Sequence, residues 1–254
     1  MAERNLLVDL YSGDVGGHPD WNAVLAAPDF VGGIIKATEG TEFDVTWFKR
    51  HWRELKTTAG ERYGTSWFRG AYHFLKFDKS GKDQADFYLR TIENAGGFDV
   101  GDIIPIVDVE LGNEGKLNEA GVLVKRNSNW DASAQKIIDC TSEWSEHVKA
   151  ATGQQVMLYG NGAMREKQIS NRMNCDWLWI PRYTPDLPRL MYERAGWDLP
   201  SVAMWQYCGD GAAELANYPR AVPGVGKVDI SVVLFPTLRD FQNKVCSQVI
   251  KIDA

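Results

Sequence analysis

Two carboxylates end an apolar run in the first half of the chain. Residues 103–111 read Ile-Ile-Pro-Ile-Val-Asp-Val-Glu-Leu, so Asp108 and Glu110 are two positions apart. Alternate side chains of a strand share a face, and we therefore expect both acids to point the same way. Unpaired charge is costly to bury, so a buried strand that ends in two acids suggests a function for them. Two acids in different environments are what acid–base cleavage of a glycosidic bond requires.

Further acids end other strand-like runs. Asp9 follows Leu7-Val8, and Asp229 follows Lys227-Val228. If eight strands close into a barrel, the first and the last are neighbours, so Asp9 and Asp229 should meet and face Asp108 and Glu110 across the mouth. Repulsion and desolvation in such a cluster raise the pKa of at least one member, which gives a general acid near neutral pH. Taken singly, Asp9 or Asp229 would more often be a turn or cap residue, because a lone Asp at the end of a strand usually is.

Aromatic and polar side chains at the ends of strand-like runs are candidate sugar contacts. Aromatic residues on a barrel rim would stack on sugar rings, and packing in the core is the alternative for each of them. Lys36 and Glu39 could instead form a surface pair. The candidate substrate-binding residues are Lys36, Glu39, Tyr72, Tyr159, Trp179, Tyr183, Trp205 and Gln206.

The elements that must position these residues alternate along the chain. Runs rich in Val, Ile, Leu or aromatic residues, bounded by Gly, Pro, Asn or Asp, are predicted strands. They cover residues 6–11, 31–36, 68–75, 102–111, 155–159, 177–180, 202–207 and 228–235. Helical periodicity appears at 46–59, 80–95 and 133–151, with a shorter candidate at 165–173 and a closing helix at 237–250. Segments 184–201 and 209–227 show little of it.

This order of elements predicts an α/β fold, a TIM-like (β/α) barrel. Alternating strands and helices imply a parallel sheet, and eight strands suggest a closed barrel with its chemistry at the carboxyl ends of the strands. The 254 residues suit one domain of this type, with a core at about 5–236 and the last strands joined by loops. We find no internal repeat, linker or low-complexity tract.

Composition narrows the classes of partner. The formal net charge of −6 argues against a nucleic-acid partner. No apolar run is long enough to span a membrane, so we expect that the protein does not insert into one. The first residues lack the apolar segment of a signal peptide, so we expect the protein to be made in the cytoplasm. Cysteines 140, 175, 208 and 246 are far apart, and free thiols or disulfides both remain open.

Seven short segments, taken in order, resemble the lysozymes of glycoside hydrolase family 25. The likeness runs from Leu6 to about Phe235. The segments are Val8-Asp9, Ile34 to Gly40, Tyr72-His73-Phe74, Asp108-Val109-Glu110, Leu178 to Tyr183, Trp205-Gln206-Tyr207 and Val228-Asp229. The resemblance implies a modified barrel of eight strands with about five helices. It also implies cleavage of the β-1,4 bond between N-acetylmuramic acid and N-acetylglucosamine in bacterial peptidoglycan, with retention.

The resemblance also implies roles for the acids. Glu110 would be the general acid, Asp108 would orient the reacting centre, and Asp9 and Asp229 would complete the catalytic cluster. Retention could use a carboxylate that attacks C1 or the N-acetyl oxygen of the substrate itself; we favour the second, with Asp108 steering the amide. A carboxylate mechanism needs no metal and no organic cofactor, so we expect neither.

The expected setting is a monomeric phage endolysin, made in the host cytoplasm and acting on the cell wall after release; a secreted lysozyme is the alternative. Two other functions stay open. One is a chitinase-like glycosidase that acts on N-acetylglucosamine polymers, although Ile104, Pro105 and Ile106 stand where such enzymes usually have further acids. The other is a non-catalytic sugar-binding barrel.

Overall fold

Eight strands close into one barrel in the order in which they occur along the chain. The computed structural model describes residues 4–13, 18–63, 67–112, 128–185, 187 and 189–248. The strands are β1 (Leu6–Leu10), β2 (Phe30–Glu39), β3 (Phe68–Phe74), β4 (Ile106–Asp108), β5 (Met157–Tyr159), β6 (Trp177–Pro181), β7 (Val202–Cys208) and β8 (Asp229–Val233). The predicted eight-stranded α/β barrel is confirmed.

Helices surround this barrel. Within the described residues there are seven α-helices: α1 (Trp21–Ala26), α2 (Thr46–Tyr63), α3 (Gly81–Asn94), α4 (Ala134–Thr152), α5 (Gly162–Glu166), α6 (Arg189–Arg194) and α7 (Leu238–Val245). The short helix predicted at 165–173 is α5, which lies earlier, at Gly162–Glu166. The number exceeds the expected five because α1 and α6 have six residues each, too few turns for a periodic pattern to show. Helix α6 also lies in a segment that was expected to be a loop.

Local sequence explains where the longer helices begin and end. The Ser80 hydroxyl accepts a hydrogen bond from the backbone N–H of Asp83 at the start of α3, and Ser133 does the same for Lys136 at the start of α4. Gly153 ends α4 with a φ of 66°, a conformation that glycine adopts without strain. The closing helix ends at Val245, before the predicted boundary, and its last two predicted residues lie outside the described ranges.

The direction of the last strand corrects the prediction of a wholly parallel sheet. Successive strands from β1 to β7 are parallel, whereas β8 is antiparallel to both β7 and β1. A parallel neighbour requires a crossover to the opposite end of the sheet. Residues 209–228 contain no helix and return at the same rim, so β8 runs back. Its first residue, Asp229, therefore lies level with the ends of the other strands.

Two apolar layers hold the barrel. One fills the interior and includes Leu7, Ile34 and Met204, while the other packs between the barrel and its helices and includes Val8, Trp52 and Trp144. The four cysteines are buried and free, which settles the question of disulfides. None of the described helices combines the length and the apolar character that crossing a membrane would demand.

Candidate active site

The four predicted catalytic acids line one cleft at the rim of the barrel. They are Asp9, Asp108, Glu110 and Asp229. Asp9 of β1 stands opposite Asp229 of β8 in the strand register, as predicted. Asp108 is the last residue of β4, and Glu110 follows two positions later on the same side. Strands from distant parts of the sequence thus bring four carboxyl groups to a common space.

Gln206 of β7 holds two of these acids together from beneath. Its side chain is buried, and its Nε2 donates to Asp9 Oδ1 at 3.1 Å and to Asp229 Oδ2 at 3.1 Å. Its Oε1 accepts from the hydroxyls of Tyr159 at 2.9 Å and Tyr183 at 3.1 Å. Both amide protons and both lone pairs are therefore in use, which fixes the orientation of the amide. The structure makes Gln206 a support for the acids rather than the predicted substrate contact.

The electrostatics of the cleft keep protons on some of its acids. Burial raises the pKa of Glu110 to about 7, and the nearby charge of Asp229 adds to this effect, while Lys36 opposes it. Burial also raises the pKa of Asp229 to about 6. The hydrogen bonds that Asp229 accepts from the backbone N–H of Asp210 and from the side chain of Gln206 lower the pKa but do not cancel this rise. Glu110 can therefore hold a proton up to about neutral pH, as a general acid must.

Asp108 has a buried carboxyl oxygen without a hydrogen-bond partner among the described residues. Only 4% of the residue is exposed, and the oxygen is Oδ1. Burial raises its pKa well above the usual value, and the charge of Glu110 raises it further. Such a group is costly to leave unpaired, and a substrate that offered a hydrogen bond or a positive charge would relieve the cost.

A buried asparagine positions the backbone at Glu110. Asn129 Nδ2 donates to the carbonyl oxygen of Glu110 at 2.9 Å and to that of Leu75 at 2.8 Å, while its Oδ1 accepts from the N–H of Phe77 at 2.9 Å. It therefore ties the loop after β3 to the loop after β4. Sequence analysis missed this residue because a lone Asn is equally typical of a turn.

Lys36 is the cation that faces the acid cleft, and Glu39 anchors it. The Lys36 ammonium lies 2.5 Å from Glu39 Oε2, and the ammonium of Lys76 lies 2.8 Å from Glu39 Oε1. Burial raises the pKa of Glu39, but these two ion pairs outweigh it and hold the pKa below the usual value. Lys36 lines the cleft and is buried, so the pair is not the surface pair of the alternative interpretation. Glu39 supports Lys36 and is not among the residues that line the cleft.

The aromatic candidates divide between the cleft and the core. Tyr72, Tyr159 and Trp179 line the cleft, and the Trp179 indole donates to Ser231 Oγ at 2.9 Å. Tyr183 is 40% exposed beside it, joined through its hydroxyl to Gln206. Trp205 was wrongly predicted to line the cleft. Because side chains alternate along β7, it faces the helices, where its indole donates to the carbonyl of Arg182.

Sequence analysis missed two residues that line the cleft. Tyr11 and Phe74 also line the cleft, and both stand at the ends of predicted strands, the same signal that identified the other aromatic candidates. Within the described ranges, no group of three or more His, Cys, Asp or Glu side chains is placed to hold a metal ion. Among the described residues, the cleft is lined by acids, one lysine and aromatic rings.

Comparisons with known proteins identify a family and several similar structures. Residues 8–214 match the sequence profile described as Glycosyl hydrolases family 25. A family 25 glycosyl hydrolase from Bacillus anthracis is 22% identical, with 96% of this chain and 95% of that chain covered and a TM-score of 0.68. A muramidase from Acremonium alcalophilum is 23% identical, with 94% and 99% covered and a TM-score of 0.66. The CTP1L endolysin is 17% identical, with 94% and 70% covered and a TM-score of 0.57. No curated protein matches the chain.

Proposed function

This chain belongs to the glycosyl hydrolases family 25, and from that premise we propose that it is a peptidoglycan hydrolase, a lysozyme that cleaves the bond between N-acetylmuramic acid and N-acetylglucosamine. One observation carries the proposal: Glu110, with a pKa of about 7, shares a cleft with three further acids at the barrel rim. The name of the similar Acremonium alcalophilum protein, a muramidase, supports the choice of bond.

Glu110 is the general acid in this proposal. Its proton passes to the glycosidic oxygen as the bond between that oxygen and C1 breaks, so the departing sugar leaves as a neutral alcohol. Glu110 is then a carboxylate, and it accepts a proton from the water that attacks C1 in the second step. The raised pKa suits both steps, because it makes the acid able to hold a proton and the carboxylate able to take one back.

Asp108 steers the N-acetyl group of the substrate in the first step. The amide oxygen bonds to C1 while the bond to the leaving oxygen breaks, and water later replaces the amide oxygen, so the configuration at C1 is retained. Asp108 accepts a hydrogen bond from the amide N–H, and the positive charge that develops on the amide favours the ionised carboxylate. The lack of a protein partner for Asp108 Oδ1 among the described residues supports this role.

Product analysis tests the proposed bond. Purified peptidoglycan is digested with the wild type, with Glu110→Gln and with Glu93→Gln, a matched change of an exposed carboxylate on α3, and the fragments are analysed by mass spectrometry. We expect reducing muramic acid ends, a loss of about 100-fold or more in rate for Glu110→Gln, and no loss for Glu93→Gln. Reducing glucosamine ends, faster cleavage of chitin, or binding without cleavage would each refute the proposal.

We also propose that the protein acts as a single-domain monomer and as an endolysin, made in the host cytoplasm and reaching the wall after the membrane opens. Its similarity to the CTP1L endolysin supports this setting. Host cells that make the protein in their cytoplasm should grow normally. The turbidity of the culture should fall when chloroform permeabilises the membrane. Enzyme activity in the medium of intact cells would instead indicate secretion.

A further inference from the structure

A second cavity adjoins the acid cleft at Glu110. It has a volume of about 260 Å³, and Glu110 contributes to the walls of both spaces. Its other walls come from the loop after β4, from the 3-10 helix at Ser128–Asp131 and from α5. They are formed by Leu111, Gly112, Trp130, Gly162, Ala163, Arg165 and Glu166. A substrate cleaved at Glu110 therefore has room to extend into this second cavity.

Two unpaired opposite charges distinguish this cavity. Arg165 and Glu166 are exposed on α5, and neither side chain makes a hydrogen bond or an ion pair with any part of the chain that the structure describes. The remaining walls, apart from Glu110, are apolar or glycine, with the Trp130 indole held by a hydrogen bond to the carbonyl of Gly112. An arginine fork matches the two oxygens of a carboxylate, and a glutamate matches an ammonium group.

We propose that this second cavity binds the peptide stem of peptidoglycan, with Arg165 on a stem carboxylate and Glu166 on a stem ammonium group. The inference rests on the proposed function. The N-acetylated sugars of the glycan carry no ammonium group, and the lactyl carboxyl of muramic acid is bound in an amide wherever a stem is attached. Free carboxylate and ammonium groups beside the scissile bond therefore belong to the stems.

The test compares two substrates with the same glycan chain. One is intact peptidoglycan, solubilised and uncrosslinked, and the other is the same material after an amidase has removed the stems and the lactyl carboxyls that this exposes have been converted to amides. Arg165→Ala should raise KM about fivefold on the substrate with stems, leave kcat unchanged, and match the wild type on the substrate without them. Arg90→Ala, which removes an exposed arginine from α3, controls for the general loss of one positive charge.

A second variant tests the space rather than the charge. A Cβ built at Gly162 would meet no atom within 4 Å, so Gly162→Leu should narrow the cavity without disturbing the backbone. We expect the same selective rise in KM. Equal effects on both substrates, or no effect of either variant, would refute a stem site while leaving the proposed function intact. A wild type that cleaved neither substrate would refute the proposed function, and the inference would fall with it.

Discussion

Replacing the proposed catalytic acid should make the protein more stable as well as inactive. The pKa of Glu110 rises from 4.5 to about 7 on folding, because the folded protein buries the carboxyl close to Asp229. The folded state thus binds the proton more tightly than the unfolded state. The stabilisation that this provides is fully present below pH 4.5 and is lost as the pH rises through about 7. Glu110→Gln keeps the shape of the side chain and removes the titration.

The size of the effect follows from the two pKa values. A pKa difference of one unit corresponds to about 1.4 kcal/mol. The rise of the Glu110 pKa from 4.5 to about 7 therefore lowers the free energy of unfolding of the wild type by about 3 kcal/mol above neutral pH. Solvent reaches part of the Glu110 side chain and lowers this figure by screening the charge. Loss of the Glu110 charge also removes a repulsion on Asp108, which acts in the same direction. For a chain of this length, 3 kcal/mol corresponds to roughly 6–12 °C in melting temperature.

The measurement is urea unfolding at intervals between pH 4 and pH 8 for the wild type, Glu110→Gln and the exposed control Glu93→Gln. The free energy of unfolding of Glu110→Gln relative to the wild type should rise by up to about 3 kcal/mol across this range. The control should follow the wild type. If the wild type and Glu110→Gln kept a constant difference from pH 4 to pH 8, Glu110 would have an ordinary pKa, and the reasoning about the general acid would fail.

Three further changes test the supports of the cleft. Gln206→Leu removes the amide that donates to Asp9 and accepts from the Tyr159 hydroxyl, so the free energy of unfolding measured in urea should fall by about 2–4 kcal/mol. A variant as stable as the wild type would contradict this hydrogen-bond network. Asn129→Ala leaves the N–H of Phe77 without its acceptor and frees the backbone at Glu110, so kcat should fall about tenfold. The melting temperature is measured for the same variant, and an unchanged kcat would exclude a positioning role for Asn129. Gly209→Ala would place a Cβ 2.5 Å from the Tyr183 hydroxyl oxygen, so the Tyr183 ring must move and lose its hydrogen bond to Gln206. KM should then rise while the melting temperature stays nearly constant. A large loss of stability would mean that the ring cannot move.

Much of the barrel could be predicted because its strands carry a local signal. Apolar runs bounded by Gly, Pro or Asp mark all eight. The direction of β8 could not be predicted, because it depends on where residues 209–228 return and not on any pattern within the strand. The fourth strand was predicted too long for a similar reason. Pro105 has no N–H to donate, and Ile103 pairs with Cys246 instead of extending β4.

The acids of the site were predictable, and the groups that hold them were not. Asp9 and Asp229 were found because each stands where a strand meets the rim. Gln206 lies 197 positions from Asp9, and no local pattern shows that they touch. The sequence alone shows that the predictions for Trp205 and Gln206 could not both be right. Neighbours in a strand face opposite sides, so Trp205 and Gln206 cannot both face the cleft.

The antiparallel last strand adds a neighbouring acid to the burial that keeps Glu110 protonated. Because β8 runs back, Asp229 begins it at the rim and sits beside Asp9, where one amide, that of Gln206, serves both. Burial contributes most to the raised pKa of Glu110, the charge of Asp229 adds to it, and Lys36 limits the rise. Four carboxyl groups face one lysine that is already paired with Glu39, so full ionisation of the cleft is unfavourable. The same crowding that costs stability at neutral pH leaves Glu110 with the proton that the reaction needs.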